Sequence, residues 1–137
     1  MELPYMDTVY VAFGLFLLVT AYNYIKPSVE RNYTGFKTGE ALDFIKSNKD
    51  ITIIDVRDRK DYHKNHIKGA RNIPLDQLEK RKGTLTRKKP IIVYCQNGGR
   101  SVRAIRMLEL DGFTQLYHMN EGLRGWTREG HPTTGGR

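Results

Sequence analysis

The 137-residue chain carries a net charge of +8, with 28% charged and 39% hydrophobic residues. This composition excludes a polytopic membrane protein, and the 10% share of aromatic residues argues against a disordered chain because aromatic side chains can anchor a core. The single cysteine excludes an intrachain disulfide and a cysteine-based zinc site. The positive charge points to anionic ligands, anionic lipid or nucleic acid as binding partners.

The N-terminal segment differs in composition from the rest of the chain. All 23 basic residues follow residue 25, and residues 8–25 form an uncharged, mostly apolar run. As a helix this run spans about 27 Å, close to the thickness of the hydrocarbon core of a bilayer. A cleaved signal peptide and a buried soluble helix are the alternatives, but the start is acidic and no amphipathic stripe is visible. The sequence therefore predicts one transmembrane anchor within residues 1–27.

Basic residues flank this apolar run on one side only. Lys26, Arg31 and Lys37 follow it, and no lysine or arginine precedes it. The positive-inside rule therefore predicts a single-pass membrane protein whose following domain, residues 28–137, faces the cytoplasm. A reducing cytoplasm also suits a free thiol. Pro27 is predicted to end the helix just after Lys26.

The remainder of the chain alternates predicted helices and strands, which implies an α/β domain with a mostly parallel sheet. Gly112 is predicted to stop one helix, and residues 133–137 are predicted to form a frayed tail. In chain order the first predicted elements are an entry strand ending at Phe36, a helix capped by Thr38, a strand at 51–54, a helix at 58–65, an extended pair at 72–73, a helix starting at Leu75 and a strand at 90–94. The next helix has an apolar face that holds Val102, Ile105 and Leu108 and is widened by Ala104, Met107 and Leu110. A strand at 115–119 and a short helix at 123–127 follow, and Trp126 in that helix is predicted to be a core residue.

The loop that starts at Cys95 carries the strongest chemical signal. Cys95 directly follows a predicted buried strand, so its thiol is expected at the carboxyl end of a parallel strand, facing the N-terminus of the next helix. Gly98 and Gly99 allow the loop amides to point inward as an anion cradle, and Arg100 and Arg103 add positive charge. Each effect favours the thiolate, so the pKa of Cys95 is predicted to lie below that of an ordinary cysteine. The alternative, a buried structural cysteine, fits the Gly-Gly-Arg context less well.

Four segments together resemble the rhodanese (sulfurtransferase) family over roughly residues 35–132. The segments are Asp55-Val56-Arg57 after a strand, the run DYHKNHIKGARNIP at 61–74, the pattern C-x-x-G-x-R at 95–100, and the closing Gly112-Phe113, Glu121-Gly122 and Trp126. Three scaffold positions depart from the family pattern: Asp61 replaces Glu, and Asn65 and Glu121 each replace Gly. The resemblance implies a rhodanese-like domain, with a mostly parallel sheet flanked by helices, preceded by the single transmembrane helix.

The resemblance also implies a reaction. Cys95 would take a sulfane sulfur from a donor such as thiosulfate, hold it as a persulfide and pass it to a thiophilic acceptor, without a metal or organic cofactor. Arg100 would bind the oxyanion end of the donor, and Arg103 would add charge beside it. The implied partners are a small-molecule or protein sulfur donor and a thiol acceptor, and no nucleic acid is expected. The persulfide would be held by the loop residues Gln96, Asn97, Gly98, Gly99 and Arg100.

Two other functions stay open at this point. One is a non-catalytic docking or sulfur-relay module of the same fold that serves a membrane partner. The other is a phosphatase-like or arsenate-reductase-like enzyme. Such enzymes carry C-x5-R, a wider cradle, whereas Cys95 to Arg100 is C-x4-R.

Four further residues are interpreted as structural. Asp55 is expected to accept backbone N–H groups, and Arg57 is expected to pair with Asp61 across the start of the next helix. His66 lies in the scaffold run of the family. His63 and His66 are three residues apart, but no third ligand accompanies them, so no metal site is predicted.

Overall fold

The computed structural model describes residues 4–25 and 32–136, and the chain divides into two units after Arg31. Helix α1 (Pro4–Ile25) forms the first unit and is long and apolar enough to cross a membrane, and no part of that span is buried. A signal sequence shares this length and composition. The predicted helix end at Pro27 and the basic residues Lys26 and Arg31 lie outside the described residues.

The second unit contains a parallel five-stranded sheet in the order β1-β5-β4-β2-β3. The predicted alternation of helices and strands is confirmed, with element ends that differ by one or two residues from the predicted ends. The elements are β1 (Tyr33–Phe36), α2 (Thr38–Ser47), β2 (Thr52–Asp55), α3 (Arg59–Lys64), β3 (Arg71–Asn72), α4 (Leu75–Arg81), a 3₁₀ turn (Lys82–Thr84), β4 (Ile91–Tyr94), α5 (Gly99–Leu110), β5 (Leu116–Met119) and α6 (Gly122–Arg128).

Helices cover both faces of the sheet, and strand β4 shows how. Its residues are all buried, and because successive side chains of a strand point to opposite faces, Ile91 and Val93 join one apolar cluster while Ile92 joins the other. The first cluster includes residues of α4 and α5, and the second includes residues of α2 and α6. Trp126 lies in the second cluster with 2% of its surface exposed, which confirms its predicted place in the core.

The apolar face of α5 in the structure is narrower than the predicted face. Ala104, Ile105 and Leu108 are fully buried, but Leu110 is 91% exposed. Leu110 follows Leu108 by two residues, which is about 200° around a helix, so the two side chains cannot share a face. The inclusion of Leu110 in the core face was therefore wrong. Gly112 ends the helix as predicted, with a φ of +85°.

Two predictions need correction, one about the start of α2 and one about the C-terminal tail. Thr38 begins α2 instead of capping it, because Lys37 occupies the N-cap and its N–H donates to the Glu40 carboxylate at 2.7 Å. The tail is not frayed at Thr134, which exchanges two backbone hydrogen bonds of 2.8 Å with His66. Those two bonds tie the end of the chain to the segment that follows α3.

Candidate active site

The sulfur of Cys95 lies in the predicted position, between the end of β4 and the first turn of α5. Sγ accepts the backbone N–H of Gly98 at 3.1 Å and that of Ser101 at 3.4 Å, and the Ser101 hydroxyl lies 3.3 Å away. Cys95 is only 1% exposed, so these groups replace water around the sulfur. The loop is therefore preorganised to hold negative charge on Sγ.

Two glycines allow the loop to take this shape. Gly98 has a φ of +99°, and a Cβ there would collide with the carbonyl of Asn120. Gly122 has a φ of +59°, and a Cβ there would collide with the carbonyls of Cys95 and Gln96. Those same two carbonyls accept the first free N–H groups of α6, from residues 123 and 124, at 2.8 and 3.0 Å. The start of α6 thus fixes the backbone at Cys95.

The electrostatics of the loop lower the pKa of Cys95. Burial alone would raise the pKa of this thiol. The Ser101 hydroxyl and the backbone N–H groups of Ser101, Gly98 and Asn97 outweigh that effect, because they donate hydrogen bonds to the charged sulfur. The net shift has the direction expected from the sequence.

Ser101 and His118 are the two polar residues of the site that the sequence analysis missed. Ser101 is fully buried, and its Oγ lies 3.0 Å from the carbonyl oxygen of Gly98 and 2.7 Å from Nε2 of His118. His118 is 4% exposed in β5, and its Nδ1 lies 3.0 Å from Oδ1 of Asn120. The signal that could have found it is a histidine within the strand predicted at 115–119, since a polar ring requires partners if the strand is buried.

Asp55 and Arg57 form a buried ion pair beside the loop, and the predicted pairing of Arg57 with Asp61 was wrong. The Arg57 guanidinium lies 2.8 Å from Asp55, and both side chains are almost fully buried. The two residues are separated by one position in an extended backbone, so their side chains emerge on the same side. Asp61 instead lies 3.9 Å from Lys64 on the surface. As expected, Asp55 also accepts a backbone N–H, that of Arg57, at 2.9 Å.

The ion pair also contacts the Cys95 loop. Arg57 Nη1 donates to the side-chain oxygen of Gln96 at 3.2 Å, so Gln96 contributes its side chain to the support of the loop. Within residues 32–136 the amides of Gln96, Gly99 and Arg100 make no hydrogen bond to Sγ of the free thiol. Their predicted contact with a second sulfur atom stays a prediction.

The two arginines predicted to bind the donor lie together. Arg100 is half-buried, Arg103 is exposed, and both line a cavity of about 350 Å³. Neither makes an ion pair in the described part of the chain. The other lining residues are two carboxylates and three apolar side chains: Asp58, Asp76, Val56, Leu75 and Met107.

His66 has structural contacts. Its ring stacks on that of Tyr62 with centroids 3.7 Å apart, and its Nδ1 lies 2.8 Å from the Tyr62 carbonyl oxygen. No group of three potential metal ligands occurs among the residues that the structure describes.

The departures at Asn65 and Glu121 have a simple backbone explanation. Asn65 has a φ of −163°, which is extended, and Glu121 has a φ of −97°, so neither position requires glycine. The Glu121 carboxylate accepts from Arg128 at 2.6 Å, which gives the side chain a role of its own. The positive φ falls on the next residue, Gly122, where glycine is retained.

Comparisons with known proteins agree with this geometry. Residues 38–129 match the model of the Rhodanese-like domain family. The chain is 45% identical over 74 residues to the uncharacterized protein YqhL of Bacillus subtilis, covering 54% of this chain and 59% of that protein. It is 36% identical over 83 residues to the putative sulfur carrier protein YrkF of the same organism, covering 61% and 45%. The matches thus span about half the length of these two relatives.

A shorter relative is covered more fully. The thiosulfate sulfurtransferase GlpE of Coxiella burnetii is 33% identical over 95 residues, which cover 69% of this chain and 87% of that protein. Homologues with a rhodanese-like domain therefore include sulfurtransferases and sulfur carriers.

Solved structures give the same result. A rhodanese-related protein of Thermoplasma volcanium is 27% identical, with a TM-score of 0.68 over 74% of this chain and 98% of that one. The Alr3790 protein of Anabaena is 30% identical, with a TM-score of 0.67 over 73% and 80%. Family match, relatives and fold coincide on the unit that contains the cysteine loop, and the chain belongs to the rhodanese-like domain family.

Proposed function

We propose that this protein is a sulfurtransferase that moves a sulfane sulfur from a donor such as thiosulfate to a thiol acceptor through a persulfide on Cys95. The observation that carries the proposal is the set of donors at Sγ: the amides of Gly98 and Ser101 and the Ser101 hydroxyl. The similarity to GlpE and YrkF supports the same chemistry.

The proposed reaction has two steps. The Cys95 thiolate attacks the outer sulfur of thiosulfate, the S–S bond of thiosulfate breaks, and sulfite leaves with the bonding electron pair. The resulting Cys95 persulfide is anionic, and the loop amides stabilise it as they stabilise the thiolate. A thiol or cyanide then attacks the outer sulfur, and Cys95 leaves as the thiolate that began the cycle.

The donor site is the cavity beside the loop. Thiosulfate carries a charge of −2, and Arg100 can hold two of its oxygens in the planar fork of the guanidinium. Arg103 lies one helical turn further along α5 and lines the same cavity. Asp58 and Asp76 also line it and offset part of this positive charge, which favours release of the anionic product sulfite.

A sulfur-relay module is the second candidate, because the putative sulfur carrier YrkF is among the similar proteins. A relay would use the same persulfide but would exchange it with one partner instead of turning over small molecules. The two functions differ in turnover and not in the loaded state.

The test starts from the full chain in mild detergent, reduced and then incubated with thiosulfate. We expect the intact mass to rise by one sulfur atom, about 32 Da, and cyanide to remove that mass as thiocyanate over many cycles. Loading followed by a single stoichiometric discharge to cyanide would favour the relay. An unchanged mass would contradict both sulfur functions.

Replacing Arg100 with alanine is expected to weaken donor capture more than persulfide survival. The variant loses a charge-assisted contact worth about 1.5–3 kcal/mol, so kcat/KM for thiosulfate should fall by about 10- to 150-fold, mostly through KM. Loaded by a neutral polysulfide, the same variant should discharge to cyanide at nearly the wild-type rate. Stopped-flow loading and discharge measure the two steps separately.

Arg106→Ala is the matched control for this prediction. Arg106 is exposed on the same helix but does not line the cavity, and its replacement by alanine removes the same charge. Its kcat/KM should stay within about twofold of wild type, since an exposed charge at a distance is screened by salt. If Arg100→Ala slows discharge as much as loading, Arg100 shapes the loop and does not bind the donor.

We further propose that the anchor segment, residues 1–27, holds the domain at the cytoplasmic face of a membrane. The length and apolar composition of α1 support the anchor, and Lys26, Arg31 and Lys37 support the orientation. The full chain is expected to stay in the membrane fraction after a high-salt wash, and its domain should resist protease added outside intact cells.

Three outcomes would overturn this topology. They are recovery of the full-length chain in the soluble fraction, digestion of the domain from outside, and a mature chain shorter by about 20 residues, which marks a cleaved signal.

A further inference from the structure

A continuous chain of buried polar atoms connects Cys95 to His118. Sγ of Cys95 lies 3.3 Å from Oγ of Ser101, and that oxygen lies 2.7 Å from Nε2 of His118. Ser101 is fully buried and His118 is 4% exposed, so bulk water does not compete with these contacts. The Ser101 hydroxyl carries one proton and has three acceptors within reach, Sγ of Cys95, the carbonyl oxygen of Gly98 at 3.0 Å and Nε2 of His118, of which Nε2 is the nearest.

The surroundings of the His118 ring suit both of its protonation states. Nδ1 faces Oδ1 of Asn120 at 3.0 Å, which places a proton on Nδ1 and leaves Nε2 free to accept from Ser101. When Nε2 is protonated, it has two acceptors, Oγ of Ser101 at 2.7 Å and the carbonyl oxygen of Gly98 at 3.2 Å. The imidazolium is thus hydrogen-bonded at both nitrogens.

Among the residues that the structure describes, no ionised side chain contacts the His118 ring. The neighbouring groups are the neutral amide of Asn120, the Ser101 hydroxyl, the Gly98 carbonyl, and the ring of Tyr33, whose centroid lies 5.9 Å away in an edge contact. Burial lowers the pKa of His118, although the bonds to Asn120 and Gly98 oppose that effect. The acidic group that hydrogen bonds link to the ring is the thiol of Cys95, through Ser101.

We propose that His118 is a positioning residue that takes the Cys95 proton through Ser101, so that thiolate and imidazolium form together as a coupled pair. The proton on Sγ passes to Oγ of Ser101, the original hydroxyl proton passes to Nε2 of His118, and the S–H electron pair stays on sulfur. The proton on Nδ1 stays on that nitrogen, which donates it to Oδ1 of Asn120 throughout. No oxidant, metal or other reactant takes part, and the total charge of the three residues is unchanged.

This relay deepens the proposed function, on which its catalytic use rests. A thiol that is 1% exposed has few paths for its proton, and His118 supplies an acceptor inside the protein. When the persulfide is discharged and Cys95 leaves as a thiolate, the same chain can return the proton. The tests below follow the free thiol without any sulfur donor, so their failure is distinct from a failure of sulfur transfer.

The first test compares the pH dependence of Cys95 alkylation by iodoacetamide in the full chain and in His118→Gln. Glutamine can keep a hydrogen bond to Ser101 but cannot take the proton. Two sites coupled by about one pKa unit lose a factor of about ten in thiolate at acidic pH when one is removed. We therefore expect alkylation to fall by up to about tenfold at the acidic end of the profile, and the rates to converge within about twofold at pH 10.

His63→Gln is the control, because His63 is exposed and this substitution removes an imidazole from the surface instead of from the site. Its alkylation profile should match wild type throughout. A His118→Gln profile that also matches wild type would overturn the relay. So would a loss of equal size at every pH, since that result marks a looser loop instead of a missing proton acceptor.

The second test needs no change at His118, so it also covers the case in which His118→Gln does not fold. The imidazole resonances of His118 are titrated by NMR in the full chain and in Cys95→Ala. Coupling is reciprocal, so removing the thiolate should make the imidazolium about tenfold easier to deprotonate. Identical titration of His118 in the two proteins would overturn the relay.

Discussion

Replacing Cys95 with serine is expected to abolish thiosulfate:cyanide sulfur transfer while leaving the domain folded. A hydroxyl stays protonated at neutral pH, and it cannot form a persulfide, so the first covalent step is lost. The fold should survive, because the serine oxygen can accept the same N–H groups of Gly98 and Ser101 that now bind Sγ. The measurements are thiocyanate release and the mass of the protein after thiosulfate treatment.

Trp126 reports whether the variant is folded, since this sole tryptophan is buried in the core of the domain. The free energy of unfolding, obtained from its fluorescence in urea, should change by no more than about 1 kcal/mol from that of the wild type. Thiocyanate release by a folded Cys95→Ser protein at the wild-type rate would show that sulfur reaches the acceptor by another route. The proposed mechanism would then be wrong.

The sequence allows the fold to be predicted well because each core element has its own local signal. The β-branched strand at 51–54 and the apolar run before Cys95 mark buried parallel strands, and glycine marks the end of α5 at Gly112. Leu110 was placed wrongly because spacing along a helix gives a face only to within about one residue. The docking of Thr134 on His66 depends on pairing between distant segments, which periodicity does not contain.

The candidate site likewise has a part that the sequence predicts and a part that it does not predict. The position and anionic preference of Cys95 follow from a strand, two glycines and a helix start, all contiguous in sequence. Ser101 and His118 are 17 residues apart and meet only because β4 and β5 are neighbours in the sheet. The partner of Arg57 was misassigned because a helical register suggested Asp61, whereas the extended chain brings Asp55 to the same side.

The same ion pair carries the largest stability prediction. Asp55 is completely buried and accepts three side-chain bonds of 2.8–3.1 Å from Nε and Nη2 of Arg57 to its two oxygens. Asp55→Ala is expected to lower the free energy of unfolding by about 3–5 kcal/mol, because it leaves the guanidinium of Arg57 buried without its counter-charge. Asp43→Ala removes an exposed carboxylate from α2 and should change stability by no more than about 0.5 kcal/mol.

A double variant separates the cost of an unpaired charge from the loss of packing. If the stranded guanidinium is the main cost, Asp55→Ala combined with Arg57→Leu should be more stable than the sum of the single changes predicts, by about 1–3 kcal/mol. Urea unfolding followed by Trp126 fluorescence measures all four proteins. Additive losses would mean that Asp55 and Arg57 stabilise the domain separately. The double variant also loses the Arg57 contact to Gln96, so its sulfur loading should slow even where its fold is retained, because that contact joins the buried pair to the Cys95 loop.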